Sequence, residues 1–289
     1  MANKKIIFIG GTAYSGSTML DMMLSSSESA MSLGEIYALF KPWRKHHFKK
    51  INELSIDHKW KNILEGGENS LYKNIFHYFP HIDTLIDSSK NPFWINKQNK
   101  LNKSFEIRNV LIWKSPEDLS FSFYKRGELV NFYKSYVSYH KDYCSLIVSY
   151  KKVNYSKLIK NYDCLKEISD YCNIPFDKQM FKFWEKEHNP FFGNNNTRRH
   201  VDNLDLQGKE KIQTFDDTTH KKISYAPPTN SFINKEYVLF KDNRTIQRIN
   251  NFLNNNKGTF PFLTSRPRLF IRYLLKYKYY GKIARLVKY

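Results

Sequence analysis

The stretch Lys5-Ile-Ile-Phe-Ile9, followed after Gly10 by Gly11-Thr-Ala-Tyr-Ser-Gly-Ser-Thr18, decides the fold of this chain. The apolar run predicts a buried strand, and the glycines permit a tight turn whose N–H groups can point at an anion. A helix that begins near Ser17 adds the positive end of its dipole. The outline is that of the phosphate-binding loop G-x-x-x-x-G-K-[S/T], but Ser17 replaces the lysine that contacts the β- and γ-phosphates. The stretch therefore predicts a loop for a nucleotide without a γ-phosphate, and an ordinary glycine-rich turn is the alternative.

The composition narrows the class of protein. A length of 289 residues allows one large domain or two small ones, and 41% hydrophobic residues suffice for a packed core. The formal charge of +20 predicts an anionic partner, either a nucleotide, a sulfated or phosphorylated substrate, nucleic acid or a lipid surface. Cys144, Cys164 and Cys172 show no C-x-x-C spacing, as in a reduced protein. With no signal peptide and no apolar run of ~18 residues, we expect a cytoplasmic protein.

Metal binding is not expected from the sequence. His77 and His81 are four residues apart, but Pro80 interrupts the helix that would place them on one face. The zinc motif H-E-x-x-H does not occur.

Short apolar segments alternate with amphipathic helical segments along the chain. The predicted strands are Lys5–Ile9, Thr84–Ile86, Asn109–Trp113 and Lys152–Asn154. The predicted helices are Ser17–Ser26, Pro116–Arg126, Leu129–Tyr150, Tyr162–Cys172 and Lys178–Glu187. This order predicts an α/β fold with a central parallel sheet flanked by helices. Ligands of such sheets bind beyond the carboxyl ends of the strands, which is where the Gly11–Thr18 loop begins.

A second anion site is predicted where the strand Asn109–Trp113 ends in Lys114. Ser115 is a good N-cap for the next helix, whose first residue is a proline. Ser122 and Arg126 are four residues apart and share a face of that helix. Lys114, Ser122 and Arg126 can therefore converge on one phosphate. A solvated basic helix surface is the alternative.

Together, the two segments resemble the sulfotransferases that use 3′-phosphoadenosine 5′-phosphosulfate (PAPS). The family's first motif, G-x-x-R-S-G-T/S-T, is similar to Gly11–Thr18, with Tyr14 in the cofactor loop. The resemblance implies that Ser15, Gly16, Ser17 and Thr18 bind the 5′-phosphosulfate. The second motif, R-D-P with a serine eight residues after the arginine, resembles Lys114-Ser-Pro116 and Ser122. It implies that Lys114 and Ser122 bind the 3′-phosphate, and that Arg126 matches a further basic position of tyrosylprotein-type members. The expected fold is then that of P-loop nucleotide kinases and sulfotransferases.

Two further segments imply catalytic residues. Ser32-Leu-Gly-Glu35 resembles the family's short acidic motif, in which a glutamate acts as general base. Ser88-Ser-Lys-Asn-Pro92 is similar to the K-x-P segment, and implies that Lys90 neutralises the oxygen that links sulfate to the departing nucleotide. The alternatives are that Glu35 is a helix-start residue and Lys90 a solvated loop lysine.

The resemblance continues to about Val201. Val153-Asn-Tyr-Ser-Lys-Leu158 resembles the V-x-Y-E-D-L strand end, so Tyr155 is implied as a cofactor contact. His188, Gly193-Asn194 and Arg198 are similar to an H…GN…R segment of bacterial members. Arg198 is thus a candidate cofactor contact and His188 a reserve base, although a lone histidine is more often structural.

Three positions depart from the family pattern. Tyr14 replaces an arginine, Lys114 replaces an arginine that would bind in a bidentate manner, and Ser156 replaces a glutamate. The function implied is metal-free sulfuryl transfer from PAPS, with 3′,5′-adenosine bisphosphate as product. The acceptor would be a hydroxyl of a saccharide, glycolipid or small metabolite. A P-loop-type kinase and a non-enzymatic nucleic-acid-binding protein are the alternatives. A kinase would need the loop lysine that this chain lacks. No nucleic-acid partner is expected, because no known nucleic-acid-binding motif occurs.

The end of the chain is predicted to be a separate element. Residues 1–265 would form the sulfotransferase domain, and 266–289 a basic amphipathic helix with apolar residues at helical spacing. Three interpretations compete for this helix: packing on the domain, peripheral contact with an anionic membrane, and binding of an acidic polymer.

Overall fold

The computed structural model describes residues 4–188, 190–193, 227–255, 258–262 and 265–275. Five strands form one sheet: β1 (Lys5–Gly10), β2 (Ala30–Gly34), β3 (Thr84–Asp87), β4 (Glu106–Trp113) and β5 (Lys151–Asn154). Their order is β2-β3-β1-β4-β5, and every neighbouring pair is parallel. The predicted α/β fold with a central parallel sheet is therefore confirmed.

Helices fill the connections between the strands. Those before the third strand are α1 (Ser17–Leu24), α2 (Tyr37–Phe40), α3 (Lys45–Leu54), α4 (His58–Glu65) and α5 (Gly67–Tyr78). Those up to the 3₁₀ segment Lys178–Glu185 are α6 (Pro92–Leu101), α7 (Pro116–Tyr124), α8 (Phe132–Leu146), α9 (Tyr155–Leu158) and α10 (Tyr162–Tyr171). The last are α11 (Asn230–Phe232), α12 (Val238–Lys241), α13 (Arg244–Asn254) and α14 (Arg266–Tyr273), with a π-helical turn Ile233–Tyr237 between α11 and α12.

The core lies on both faces of the sheet. In β1, Ile6 and Phe8 belong to one buried cluster, whereas Ile7 and Ile9 belong to another. Successive side chains of a strand point to opposite faces, so the near-continuous apolar run indicates that helices cover both. The sheet is thus the middle of three layers. Ligands of such sheets bind beyond the carboxyl ends of the strands.

The structure corrects some sequence-based boundaries. The helix predicted over Leu129–Tyr150 is a 3₁₀ turn, Leu129–Asn131, followed by α8, which ends at Leu146. The segment predicted as an α-helix over Lys178–Glu187 is 3₁₀ helix, interrupted by non-helical dihedral angles at Lys182. The strand β2 was not predicted.

The helix α14 lies against the domain in its described part. Arg272 forms an ion pair with the buried Asp142 of α8, and the ring of Tyr273 lies 6.2 Å from that of Phe93. Phe270 and Ile271 stay exposed on the same helix. Residues 276–289, which were predicted to continue it, lie outside the described residues. No helix within the described ranges is both long and apolar enough to cross a membrane.

Candidate active site

The loop after β1 has the features of an anion-binding turn. Gly16 has φ +98° and stands at the N-cap of α1, where no side chain caps the helix. The first N–H groups of α1 therefore keep their capacity to donate to a ligand. The hydroxyl of Ser15 is buried and has no hydrogen-bond partner in the described part of the chain. Ser17 and Thr18 are also buried, in the first turn of α1.

Two residues of the predicted second anion site, Lys114 and Ser122, meet at the end of β4. Lys114 Nζ lies 3.4 Å from Ser122 Oγ, so the spacing of eight residues does bring the two side chains together. Ser115 Oγ accepts from the Asp118 N–H at 3.1 Å and begins α7 as predicted. Burial lowers the pKa of Lys114 to about 8, a shift that the Asp118 carboxylate opposes and that the charges of Lys125 and Arg126 increase.

Tyr155 connects the two anion sites. Its ring lies beneath Lys114, with the Nζ atom 4.3 Å from the ring centroid. The same ring packs against the loop so closely that a Cβ added to Gly16 would lie 2.3 Å from it. The loop and Lys114 follow neighbouring strands, β1 and β4, which pair from Lys5↔Glu106 to Gly10↔Leu111. Both sites therefore lie at the same edge of the sheet.

Arg126 contacts both the helix α7 and the loop after β1. Its Nη1 donates to the Ser122 carbonyl at 2.7 Å, and its guanidinium lies 4.2 Å from the centroid of the Tyr14 ring. Tyr14 has φ +66° and donates its hydroxyl to Glu128 Oε2 at 3.0 Å. Burial, aided by Glu128, raises the pKa of Tyr14. The Tyr14 hydroxyl is therefore neutral. The guanidinium of Arg126, which follows α7, stacks on the Tyr14 ring and places a positive charge beside the loop.

Glu35 and Lys90 form an ion pair at the ends of adjacent strands. Glu35 directly follows β2, Lys90 lies three residues after β3, and the ammonium donates to Glu35 Oε1. Their side chains are 20% and 21% exposed. The bond to Lys90 uses Oε1, and Oε2 forms no hydrogen bond with another described residue. A positioned carboxylate with one unoccupied oxygen can accept a proton from a ligand.

The backbone around Lys90 is held in an unusual conformation. Lys90 has φ +64°, a left-handed angle that costs a side-chain-bearing residue roughly 1–2 kcal/mol. Its carbonyl accepts from Tyr139 Oη at 2.7 Å, and the N–H of Ser89 donates to Asp87 Oδ1 at 2.7 Å. Asp87 is buried and also accepts from Trp94 at 2.7 Å. These bonds fix the turn that aims Lys90 at Glu35.

His188 is engaged through both ring nitrogens. Nε2 lies 2.7 Å from the Phe183 carbonyl oxygen and Nδ1 lies 3.1 Å from Ser25 Oγ. An Nε2–H that donates to the carbonyl leaves Nδ1 as the acceptor of the serine proton. Burial lowers the pKa of His188. The imidazole therefore links Ser25, at the end of α1, to Phe183 in the 3₁₀ segment.

A groove of about 1960 Å³ brings part of the predicted site together. Its lining includes Tyr14, Glu35, Lys90, Arg126 and His188. The predicted 3′-phosphate residues Lys114 and Ser122, and Tyr155, lie beside the loop but do not line this groove. Arg198, the remaining predicted contact, lies outside the described residues.

Two residues of this site were not predicted from the sequence. Tyr139, on α8, accepts from the Gly11 N–H at 2.6 Å while it donates to Lys90, and so bridges the loop and the ion pair. Arg44 precedes α3, and its charge acts on Tyr14 and on His47. Neither stands in a motif, and nothing in the sequence distinguishes Tyr139 from the 19 other tyrosines.

Comparison with known proteins finds similarity among solved structures. Models of protein families do not match the chain. Curated protein sequences do not match it either. Among solved structures, the chain is similar to the sulfotransferase domain from the Synechococcus PCC 7002 olefin synthase. The two are 17% identical, with 81% of this chain and 94% of that chain covered and a TM-score of 0.48.

Proposed function

We propose that this chain is a sulfotransferase that uses PAPS and a hydroxyl-bearing acceptor. One observation carries the proposal: the ring of Tyr155 packs against both the Gly16 turn and Lys114. A single aromatic ring therefore separates the two predicted anion sites. A nucleotide with a phosphate at each end of its ribose has the matching arrangement of charge. The absence of a loop lysine agrees with a donor that has no γ-phosphate.

The residues present fit such a donor. Ser15 Oγ is a buried hydroxyl without a partner, and the start of α1 has no side-chain cap. Both would be satisfied by the 5′-phosphosulfate end. Lys114, half-buried and without an ion-pair partner in the described chain, would be satisfied by the 3′-phosphate together with Ser122.

Glu35 and Lys90 would perform the acid–base and electrostatic work. PAPS supplies a sulfuryl group, whose bond to the nucleotide phosphate breaks as the acceptor oxygen bonds to sulfur. Glu35 Oε2 takes the proton that the acceptor hydroxyl loses. The Lys90 ammonium orients the carboxylate through Oε1 and places a positive charge where negative charge develops. The backbone of Lys90 is fixed in advance, so this field costs no reorganisation during the reaction.

Nucleotide discrimination tests the proposal. We expect 3′,5′-adenosine bisphosphate to bind at least tenfold more tightly than 5′-AMP or ATP, measured by calorimetry, because only it satisfies Lys114. Lys114→Met should lower bisphosphate affinity about 10–100-fold and leave 5′-AMP affinity unchanged. Lys125→Met removes an equal charge at the C-cap of α7, from a side chain that lies over the Phe121 ring, and should change affinity less than about threefold. Equal affinities for bisphosphate and 5′-AMP would refute the proposal.

The pH dependence of bisphosphate binding gives an independent check. The pKa of Lys114 is lowered to about 8, and a neighbouring phosphate favours the ammonium form. Binding above pH 8 therefore takes up a proton, and affinity should fall by up to about tenfold per pH unit as the pH rises from 8. Below pH 7 the ammonium is already present, so Lys114 adds no slope. Calorimetry at pH 7 and pH 9.5 measures the difference. Lys114→Met should abolish it, and an unchanged slope in that variant would assign the effect to another group.

A further inference from the structure

The groove extends well beyond Glu35 and Lys90. It continues along β2, an edge strand of the sheet, to Ala30 and Met31 at the start of that strand. The helix α3 and Trp60 line it as well. At about 1960 Å³ it exceeds the roughly 300–1,000 Å³ of an ordinary small-ligand pocket. There is room for an acceptor several rings long.

Most of the negative charge in the groove is paired or hydrogen-bonded within the protein. Six carboxylates line it, and five of them have these partners: Glu35 with Lys90, Glu53 with Lys50, Glu128 with Tyr14, Asp142 with Arg272, and Asp57 with the Trp60 N–H. The sixth is Glu187. The partners of Glu35, Glu53 and Asp142 are cations. The charge of these three carboxylates is therefore largely compensated, whereas Glu128 and Asp57 have no ion-pair partner in the described residues.

Positive charge in the groove is not neutralised to the same extent. Arg44, Lys49 and Lys134 line it, and none has an ion-pair partner within the described ranges. Arg44 lies near enough to the nucleotide loop to act on Tyr14. His47 adds no charge there, since burial, with His46 and Arg44, lowers its pKa to about 4. The groove thus keeps cations for an anionic ligand.

Aromatic rings form the other part of the lining. Trp43 is fixed by an edge-to-face contact with His47, whose ring centroid is 4.3 Å away. Trp60 is held in the same way against Phe191 at 4.7 Å. Both indoles are only partly buried, so they keep surface for a ligand in the groove. Fixed, partly exposed indoles suit the apolar faces of sugar rings, because stacking on them costs little side-chain entropy.

We propose that this groove binds the acceptor, and that the acceptor is an acidic saccharide. Its rings lie on Trp43 and Trp60, and its carboxylates or sulfates pair with Arg44, Lys49 and Lys134. A ring hydroxyl then meets Glu35 Oε2. The inference rests on the proposed sulfuryl transfer, since it names the acceptor of that reaction.

A matched pair of oligosaccharides tests the inference. A hyaluronan tetrasaccharide carries two carboxylates, and in its carboxyl-reduced form each is replaced by an uncharged primary alcohol. With 3′,5′-adenosine bisphosphate present, calorimetry should show that the acidic form binds about tenfold more tightly, as two rim ion pairs provide. Sulfuryl transfer from PAPS should show the same preference in kcat/KM.

Variants locate the preference in the groove. Arg44→Ala/Lys134→Ala should reduce the acidic-to-reduced affinity ratio to about threefold or less, whereas Lys61→Ala, an exposed lysine of α4 outside the lining, should preserve it. Equal affinity for both tetrasaccharides, or none for either, would overturn the inference while bisphosphate binding leaves the proposed function standing. Loss of bisphosphate binding in the unchanged chain would instead refute the proposed function, and the inference with it.

Discussion

Glu35→Gln is expected to bind 3′,5′-adenosine bisphosphate as tightly as the unchanged protein and to lose about 10²–10⁴-fold in turnover. Glutamine has the same shape and keeps an oxygen that can accept from Lys90. It cannot take a proton from an acceptor hydroxyl. The loss should appear in kcat measured as sulfate transfer from labelled PAPS, and the affinity in calorimetry.

The matched control for this variant is Glu167→Gln. Glu167 is also paired with a lysine, Lys151, at 3.0 Å, but it lies on α10 outside the groove. Turnover should stay within about twofold, as for most surface substitutions. Full turnover in Glu35→Gln would remove the carboxylate from the role of base. A parallel loss of bisphosphate affinity would show that Glu35 supports the donor site and not proton transfer.

Gly34→Ala is expected to lower the free energy of unfolding by about 2–5 kcal/mol, the sum of backbone strain and overpacking. Gly34 has φ +57°, a conformation that costs alanine roughly 1–2 kcal/mol. An added Cβ would also lie 2.4 Å from the Phe191 carbonyl oxygen, and backbone cannot move aside as a side-chain end can. Chemical denaturation gives the difference as a shift of the midpoint at constant m.

Gly67→Ala separates the two causes. Gly67 has φ +73°, but a Cβ added there meets nothing within 4 Å, so this variant should lose only the roughly 1–2 kcal/mol of strain. The excess loss in Gly34→Ala measures the contact with Phe191. Because the Glu35 N–H donates to the Phe191 carbonyl at 2.5 Å, the same variant should also lower turnover. Equal destabilisation of the two variants would contradict the predicted clash.

Four of the five strands could be predicted from the sequence because their apolar runs are bounded by polar turns. The β1 prediction began at the right residue and ended one residue short of Gly10. The strand β2, Ala-Met-Ser-Leu-Gly, has only two large apolar residues and pairs on one side alone, so its pattern is weak. The structure therefore places Glu35 at a strand end that the sequence did not reveal.

Most of the candidate residues share a position that explains why motifs found them. Five of the candidate positions follow the carboxyl end of a strand: the loop after β1, Glu35 after β2, Lys90 after β3, Lys114 after β4 and Tyr155 after β5. Ser122, Arg126 and His188 do not. Short, spaced motifs at strand ends are visible without coordinates. The contact of Tyr155 with both Gly16 and Lys114 depends on strand order, which sequence alone does not give.

The cations that line the groove could not be predicted from the sequence in the same way. In a chain with 47 lysines and arginines, no pattern separates Arg44 and Lys134 from the rest. What distinguishes them is that they line the groove without an ion-pair partner in the described structure, and that position is set by the fold. Helices α3 and α4 were also not predicted, although Phe48, Ile51 and Leu54 recur at helical spacing.

The position of β2 at the border of the sheet has an evolutionary consequence. The residues proposed to bind the nucleotide follow the inner strands β1 and β4 and the border strand β5, whereas α3 and Trp60 flank the opposite border. The exposed positions within residues 41–65 can therefore diverge, or be exchanged in the laboratory, without rebuilding the inner strands, while Leu54 and Ile63 remain in the core. A family of such chains could keep one donor chemistry while successive lineages acquire new acceptors.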